Sequence, residues 1–219
     1  MTAMAELTLD ELRIALAPEI ARAAVFDGWS NRAVHNAAIA AGADPDVALL
    51  AYPGGAMDMI DGWAGAIDAA MACDLPVPTL ATMPIRERIR RLVQYRLDAA
   101  LPEEEALRRA LAIMAMPQNA ARAAELGWRS ADSMWRLAGD TATDYNHYTK
   151  RAMLGSIYAA TLAVFVSDES ERKADTRAFL ERRIEGVMRF EKAKARLLGS
   201  NREGFSLPRF LGRLRYPVR

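Results

Sequence analysis

The sequence predicts an all-α protein, a helical bundle with a helix-turn-helix head at its N-terminus and an amphipathic helix at its C-terminus. Hydrophobic residues make up 52% of the 219 and alanine is abundant, whereas valine and isoleucine are scattered and do not alternate with polar residues as a strand requires. Residues 152–166 form a run of 15 without a charge, below the roughly 18 to 20 of a spanning helix, which makes a buried core helix the expectation. The single cysteine, Cys73, excludes an internal disulfide framework and a multi-cysteine metal site, and favours a reducing compartment.

The elements follow from their stop and start signals. A first helix over 7–24 opens with Thr8 as cap and carries Leu9, Leu12, Ile14, Leu16 and Ile20, with Pro18 marking a fresh start. The Asp-Gly pair of FDGWS makes a loop, Ser30 caps a helix ending near Gly42, and Asp44 caps another over 45–50. YPGG breaks that one before a fourth helix over 57–72. This spacing is that of a helix-turn-helix, and it resembles the head of TetR-type regulators. The alternative of a TetR-like transcription factor with an apolar ligand meets a physical obstacle. ADPDVALLAYPGG offers two aspartates and no basic residue, where base edges and phosphates call for Arg, Lys, Asn or Gln. No nucleic-acid partner is expected, and the head (1–74) reads as a retained structural unit.

The second region, 75–199, begins with a three-proline connector over 75–84 and an amphipathic helix over 85–100 that sets Ile85, Ile89, Leu92, Val93 and Leu97 opposite Arg86, Arg90 and Arg91. Pro102 followed by Glu103, Glu104 and Glu105 starts a helix ending at Met116; Pro117 starts the next, and Gly127 punctuates it. After Gly139 and Asp140, Thr141 or Thr143 caps a helix of about six turns whose first third is polar and whose remainder is uncharged, hence buried nearly all round. A polar loop precedes a last long helix over 176–198 with Phe179, Leu180, Ile184, Val187, Met188 and Phe190 as its core stripe.

The tail, 200–219, carries the charge asymmetry. Of the net +1, residues 201–219 hold +4, five arginines against one glutamate, which leaves −3 elsewhere. Leu207, Phe210, Leu211 and Leu214 recur at helical spacing with Arg209 and Arg213 facing away, a pattern suited to a membrane interface or to a docked helix. The expected membrane-binding set is Phe205, Leu207, Arg209, Phe210, Leu211, Arg213, Leu214, Arg215 and Tyr216, with Pro208 in a first turn and Pro217 as a stop.

The inventory for catalysis is thin. With two histidines, His35 and His147, only the pair Asp144 and His147 could start a metal site, which ordinarily takes three or four ligands; no metal or cofactor is expected. YPGGAM lacks the Lys-Ser/Thr of a phosphate loop. An enzyme acting on a quinone precursor through Asp144 and His147 is a further alternative.

The run DSMWRLAGDTATDYNHYTKRAMLGSIYAAT, with DT-x-x-FL-x-x-RI over 175–184, resembles the coenzyme Q (ubiquinone) biosynthesis accessory protein family, the ninth Coq protein. FDGWS and the Tyr-Pro-Gly stretch extend the resemblance over nearly all of 20–190. It implies a TetR-like fold, a homodimer and a non-catalytic role: binding isoprenoid quinone intermediates or phospholipid and presenting them to a demethoxyubiquinone-type hydroxylase at the membrane. The lipid-binding residues so implied are Trp135, Met153, Leu154, Ile157, Tyr158, Leu162 and Phe165. The partner-binding residues are Asp144, Asn146, His147, Tyr148 and Arg151, with His147 standing where the family pattern has Trp. The N-terminus lacks a basic, apolar or transit-like leader, so a bacterial protein, cytoplasmic and peripheral to the inner membrane, is expected.

Overall fold

The structure, a computed structural model, describes residues 4–141 and 145–199, without the side chains of Ala5, Tyr145, Asn146, Met188, Phe190 and 191–199. Thr143, Asp144 and the whole membrane-binding set over 205–216 lie outside the described residues, as does the Asn146 side chain. The elements among the described residues are helices: α1 (Leu9–Asp27), α2 (Asn31–Ala41), α3 (Pro45–Leu50), α4 (Ala56–Asp74), α5 (Val77–Ala81), α6 (Ile85–Ala100), α7 (Glu104–Met114), α8 (Ala120–Leu137), α9 (Tyr145–Phe165) and α10 (Ala174–Gly199). The all-α expectation holds.

The head folds as its caps dictate. Thr8 and Glu11 form a reciprocal capping box at α1, the Ser30 hydroxyl accepts from Ala33 N, and Asp44 accepts from the amides of Asp46 and Val47. Gly42 ends α2 at φ 72, a left-handed conformation that costs glycine nothing. Pro18 does not restart the helix. It sits inside α1 on the exposed side, and the buried face formed by Leu12, Leu16, Ile20 and Ala24 outweighs the one backbone hydrogen bond that proline forgoes. Exposed on the short third helix and its cap are Asp44, Asp46, Val47 and Leu50.

The chain divides into two compact units, Met1–Leu180 and Glu181–Arg219. In the first, the head is tied to the helices behind it: Trp29 Nε1–H donates to the Ala106 carbonyl at 2.9 Å, and the Trp29 and Trp63 rings lie 5.5 Å apart. The connector over 75–84 contains the short α5, the helix begun at Pro102 ends at Met114, and Gly127 lies within the unbroken α8 because packing on both sides carries the helix through it. Lys173 closes the C-terminal end of α9, donating to the carbonyls of Phe165 and Asp168 and pairing with Glu104 of α7 at 2.7 Å. In the second unit α10 continues from Glu181 and carries an Arg189–Glu185 ion pair.

The uncharged part of α9 is buried on one face only. Leu154, Tyr158, Thr161, Leu162 and Phe165 turn inward, whereas Ala152, Ser156, Ala159 and Ala163 are exposed in the single chain. A run of small residues carries no charge on either face, so the sequence pattern could not distinguish a helix buried all round from one with an alanine-rich outer face.

Candidate functional site

The site is built where α9 crosses α8. Its polar end is a buried ion-pair network. Arg151, 2% exposed, donates through Nε to Asp132 and through Nη1 to Asp140 at 3.0 Å and to the His147 carbonyl at 3.2 Å. Lys150 donates to the other Asp140 oxygen at 2.6 Å and lies over the Trp135 ring, whose Nε1–H donates to the Lys150 carbonyl at 3.0 Å. Burial works to raise the Asp140 carboxyl, but hydrogen bonds and charge from Lys150 and Arg151 prevail and hold it below the usual range. Arg151 was expected to contact a partner directly; with both aspartates on it and almost no exposed surface, it can act there only by holding the first turns of α9 in place.

Outside this network sits an aromatic cluster. The Trp128 ring of α8 lies 6.5 Å from His147 and 6.0 Å from Tyr148, and the two α9 rings meet edge-on at 5.1 Å. Tyr148 is 61% exposed. Trp128 was not among the expected contact residues, since nothing in the sequence says that the α8 turn bearing it faces the start of α9.

Beneath lies a half-open pocket of about 150 Å³ lined by α4, α6, α7, α8 and α9. Its wall is apolar, from Ile60, Trp63, Leu107, Met114 and Leu162 among others, except for Arg96, Ser130 and Tyr158. Of the seven expected lipid-binding residues it uses Tyr158 and Leu162; Leu154 and Phe165 are buried elsewhere, and Trp135, Met153 and Ile157 are half-buried outside the wall. Arg96, 2% exposed, pairs through Nη1 with Asp68, donates through Nη2 to Ser130 Oγ at 2.9 Å, and holds its guanidinium carbon 5.1 Å from the centre of the Tyr158 ring. The signal for Arg96 was present in the sequence. It stands three residues after Val93 and four after Leu92, on the apolar stripe of α6 rather than opposite it.

A second, polar groove of about 300 Å³ runs along α1, α4 and α8, lined by Asp10, Arg13, Asp61, Asp68 and Arg129. Asp68 and Leu126 stand between the two spaces, Leu126 belonging to the walls of both.

The helices form an all-α, TetR-like fold with an apolar pocket behind the head. A TetR transcriptional regulator from Nitrosomonas europaea superposes with a TM-score of 0.62 over 80% of this chain and 96% of its own, at 21% identity, a likeness of fold. Residues 120–191 match the COQ9 family model. The human "Ubiquinone biosynthesis protein COQ9, mitochondrial" is 41% identical over 100 residues, 46% of this chain and 31% of that protein. The Drosophila melanogaster protein of the same name is 26% identical over 168 residues, 75% of this chain and 51% of its own. The match thus spans about a third of the human protein's length. No helix among the described residues is long and apolar enough to cross a membrane.

Proposed function

We propose that this chain is a non-catalytic accessory protein of ubiquinone biosynthesis that shelters part of an isoprenoid or quinone intermediate between α4, α6, α7, α8 and α9 and presents it to a membrane-associated hydroxylase. The cavity carries this reading: an apolar interior space whose polar wall is Arg96, Ser130 and Tyr158. A cavity of about 150 Å³ admits a ring-sized guest such as benzene, whereas ligand pockets generally run from about 300 to 1,000 Å³. The ring or the first isoprene units enter it, and a longer chain extends beyond its wall. Names of the relatives support the pathway, and residues 120–191 cover α8 and α9, which supply eight of the 18 wall residues.

The partner docks on the aromatic cluster of Trp128, His147 and Tyr148, with Asp144 and Asn146 alongside in sequence. Trp128 supports this by offering an indole from α8 beside the position where His147 replaces the family's Trp. The exposed small residues of α9, Ala152, Ser156, Ala159 and Ala163, suit close approach of a second copy in a homodimer. Residues 205–216 hold the assembly against an anionic membrane as a basic amphipathic segment.

Organic extraction of the purified protein followed by mass spectrometry tests the reading. A co-purifying quinone or phospholipid is expected; protein that is reproducibly lipid-free and takes up none when offered contradicts it.

A further inference from the structure

We infer that the outer face of α2 and α3 docks a short basic amphipathic helix of a partner protein. The chain's charge is divided in a way that its net value hides. Residues 1–74 carry three arginines against eleven carboxylates, −8, which leaves +9 on residues 75–219. Part of the head's acid is answered within the fold, since Asp58, Asp61 and Asp68 of α4 pair with Arg122, Arg129 and Arg96. On α3 it is not answered. Asp44 and Asp46 are both exposed. One oxygen of Asp44 accepts from the amides of Asp46 and Val47, and among the described residues no basic side chain lies within ion-pair distance of either carboxylate.

The same stretch exposes apolar side chains. Val47 and Leu50, three residues apart on one side of α3, are 43% and 65% exposed; Ile39, in the last turn of α2 before the turn that leads to Asp44, is 60% exposed. A lone apolar side chain on a surface needs no partner, but three between residues 39 and 50, edged by two unbalanced carboxylates, have the composition of a docking surface. Charge decides the occupant. Phosphates are repelled, and a second copy meeting this face with its own would set like carboxylates against each other. Lysine or arginine along the edges of an incoming helix pairs with Asp44 and Asp46 while its apolar stripe covers Ile39, Val47 and Leu50. The six residues of α3 span about 9 Å, so the contact takes roughly two turns of that helix and is weak.

The test is fluorescence anisotropy of the full-length protein with a labelled amphipathic helix of leucine and lysine, about 14 residues long. Binding at roughly 10 to 100 μM in low salt is expected, weakening as salt rises. Leu50→Ser is expected to weaken it about tenfold, and the pair Asp44→Asn and Asp46→Asn about fivefold. The pair Glu6→Gln and Asp10→Asn, which removes as much acid from the head outside this face, is expected to leave it unchanged. All these side chains are exposed and asparagine caps a helix as aspartate does, so the variants keep the fold. No binding below about 1 mM overturns the inference, as does equal binding by Leu50→Ser or by the Asp44 and Asp46 pair. Sedimentation of the same variants is expected to match the unaltered protein; a changed oligomeric state would make the occupant a second copy and overturn the partner helix.

Discussion

Arg151 is the residue on which the polar end of α9 depends. Its guanidinium neutralises Asp132 and Asp140 at once, so Arg151→Ala leaves buried acid behind it and is expected to cost about 3 kcal/mol, read by urea unfolding. Asp168 plays the same part beyond α9. Burial alone would raise its carboxyl, but hydrogen bonds from Ser170 and Thr176, at 2.5 to 2.8 Å, pull it well below the usual range. Since the folded value is the depressed one, its contribution is complete above the unfolded carboxylate value of about 3.9 and is lost as pH falls further. Asp168→Asn is therefore expected to be less stable than the unaltered protein at pH 7, with the difference shrinking below about pH 4 in urea unfolding; a difference constant down to pH 3 would contradict it. Residues such as Thr8, Ser30 and Asp44 were legible in the sequence because a cap is a contact within three residues. The place of Arg96 on the buried stripe of α6 was legible too, but its partners Asp68 and Ser130 were not, because they come from α4 and α8 and only the folded chain brings them together.

At the scale of elements, α8 shows where local signals give way. Gly127 reads as a breaker, yet the helix passes through it, and a methyl placed there meets nothing within 4 Å. Gly127 is also part of the cavity wall. Gly127→Ala is accordingly expected to raise stability by about 0.5 to 1 kcal/mol, through the entropy that glycine loses on folding. In the same variant the affinity for ring-sized probes should fall. A stability gain with unchanged probe binding would mean that the guest sits elsewhere. Helix limits such as those of α6 were readable from proline and stripe alone, whereas the interruption inferred at Pro18 was not observed, the buried face of α1 being decided by tertiary contacts. The outer face of α9 was hidden for the complementary reason, since alanine and serine have the same local preference buried or exposed.

For the whole molecule, the head keeps the helix order of a regulator while its third helix presents Asp46, Val47 and Leu50. A duplex gel shift at low salt is expected to show no retained complex; retention weakening steeply with salt would favour the regulator reading. If the proposed membrane contact is made by the basic tail, flotation with anionic vesicles should be strong for the full chain and weak for one ending at Gly204. Equal flotation would place the contact elsewhere. The fold class and the family signature were legible because both are carried by punctuation and by one continuous stretch. The cavity was not, because five helices share its wall and only Tyr158 and Leu162 of the residues expected from the α9 pattern contribute to it.

The most direct measurement is a crystal structure of the protein soaked with a short-chain ubiquinone analogue. Density for the ring is predicted between α4, α6, α7, α8 and α9. A cavity that stays empty while the analogue binds at another surface would contradict it.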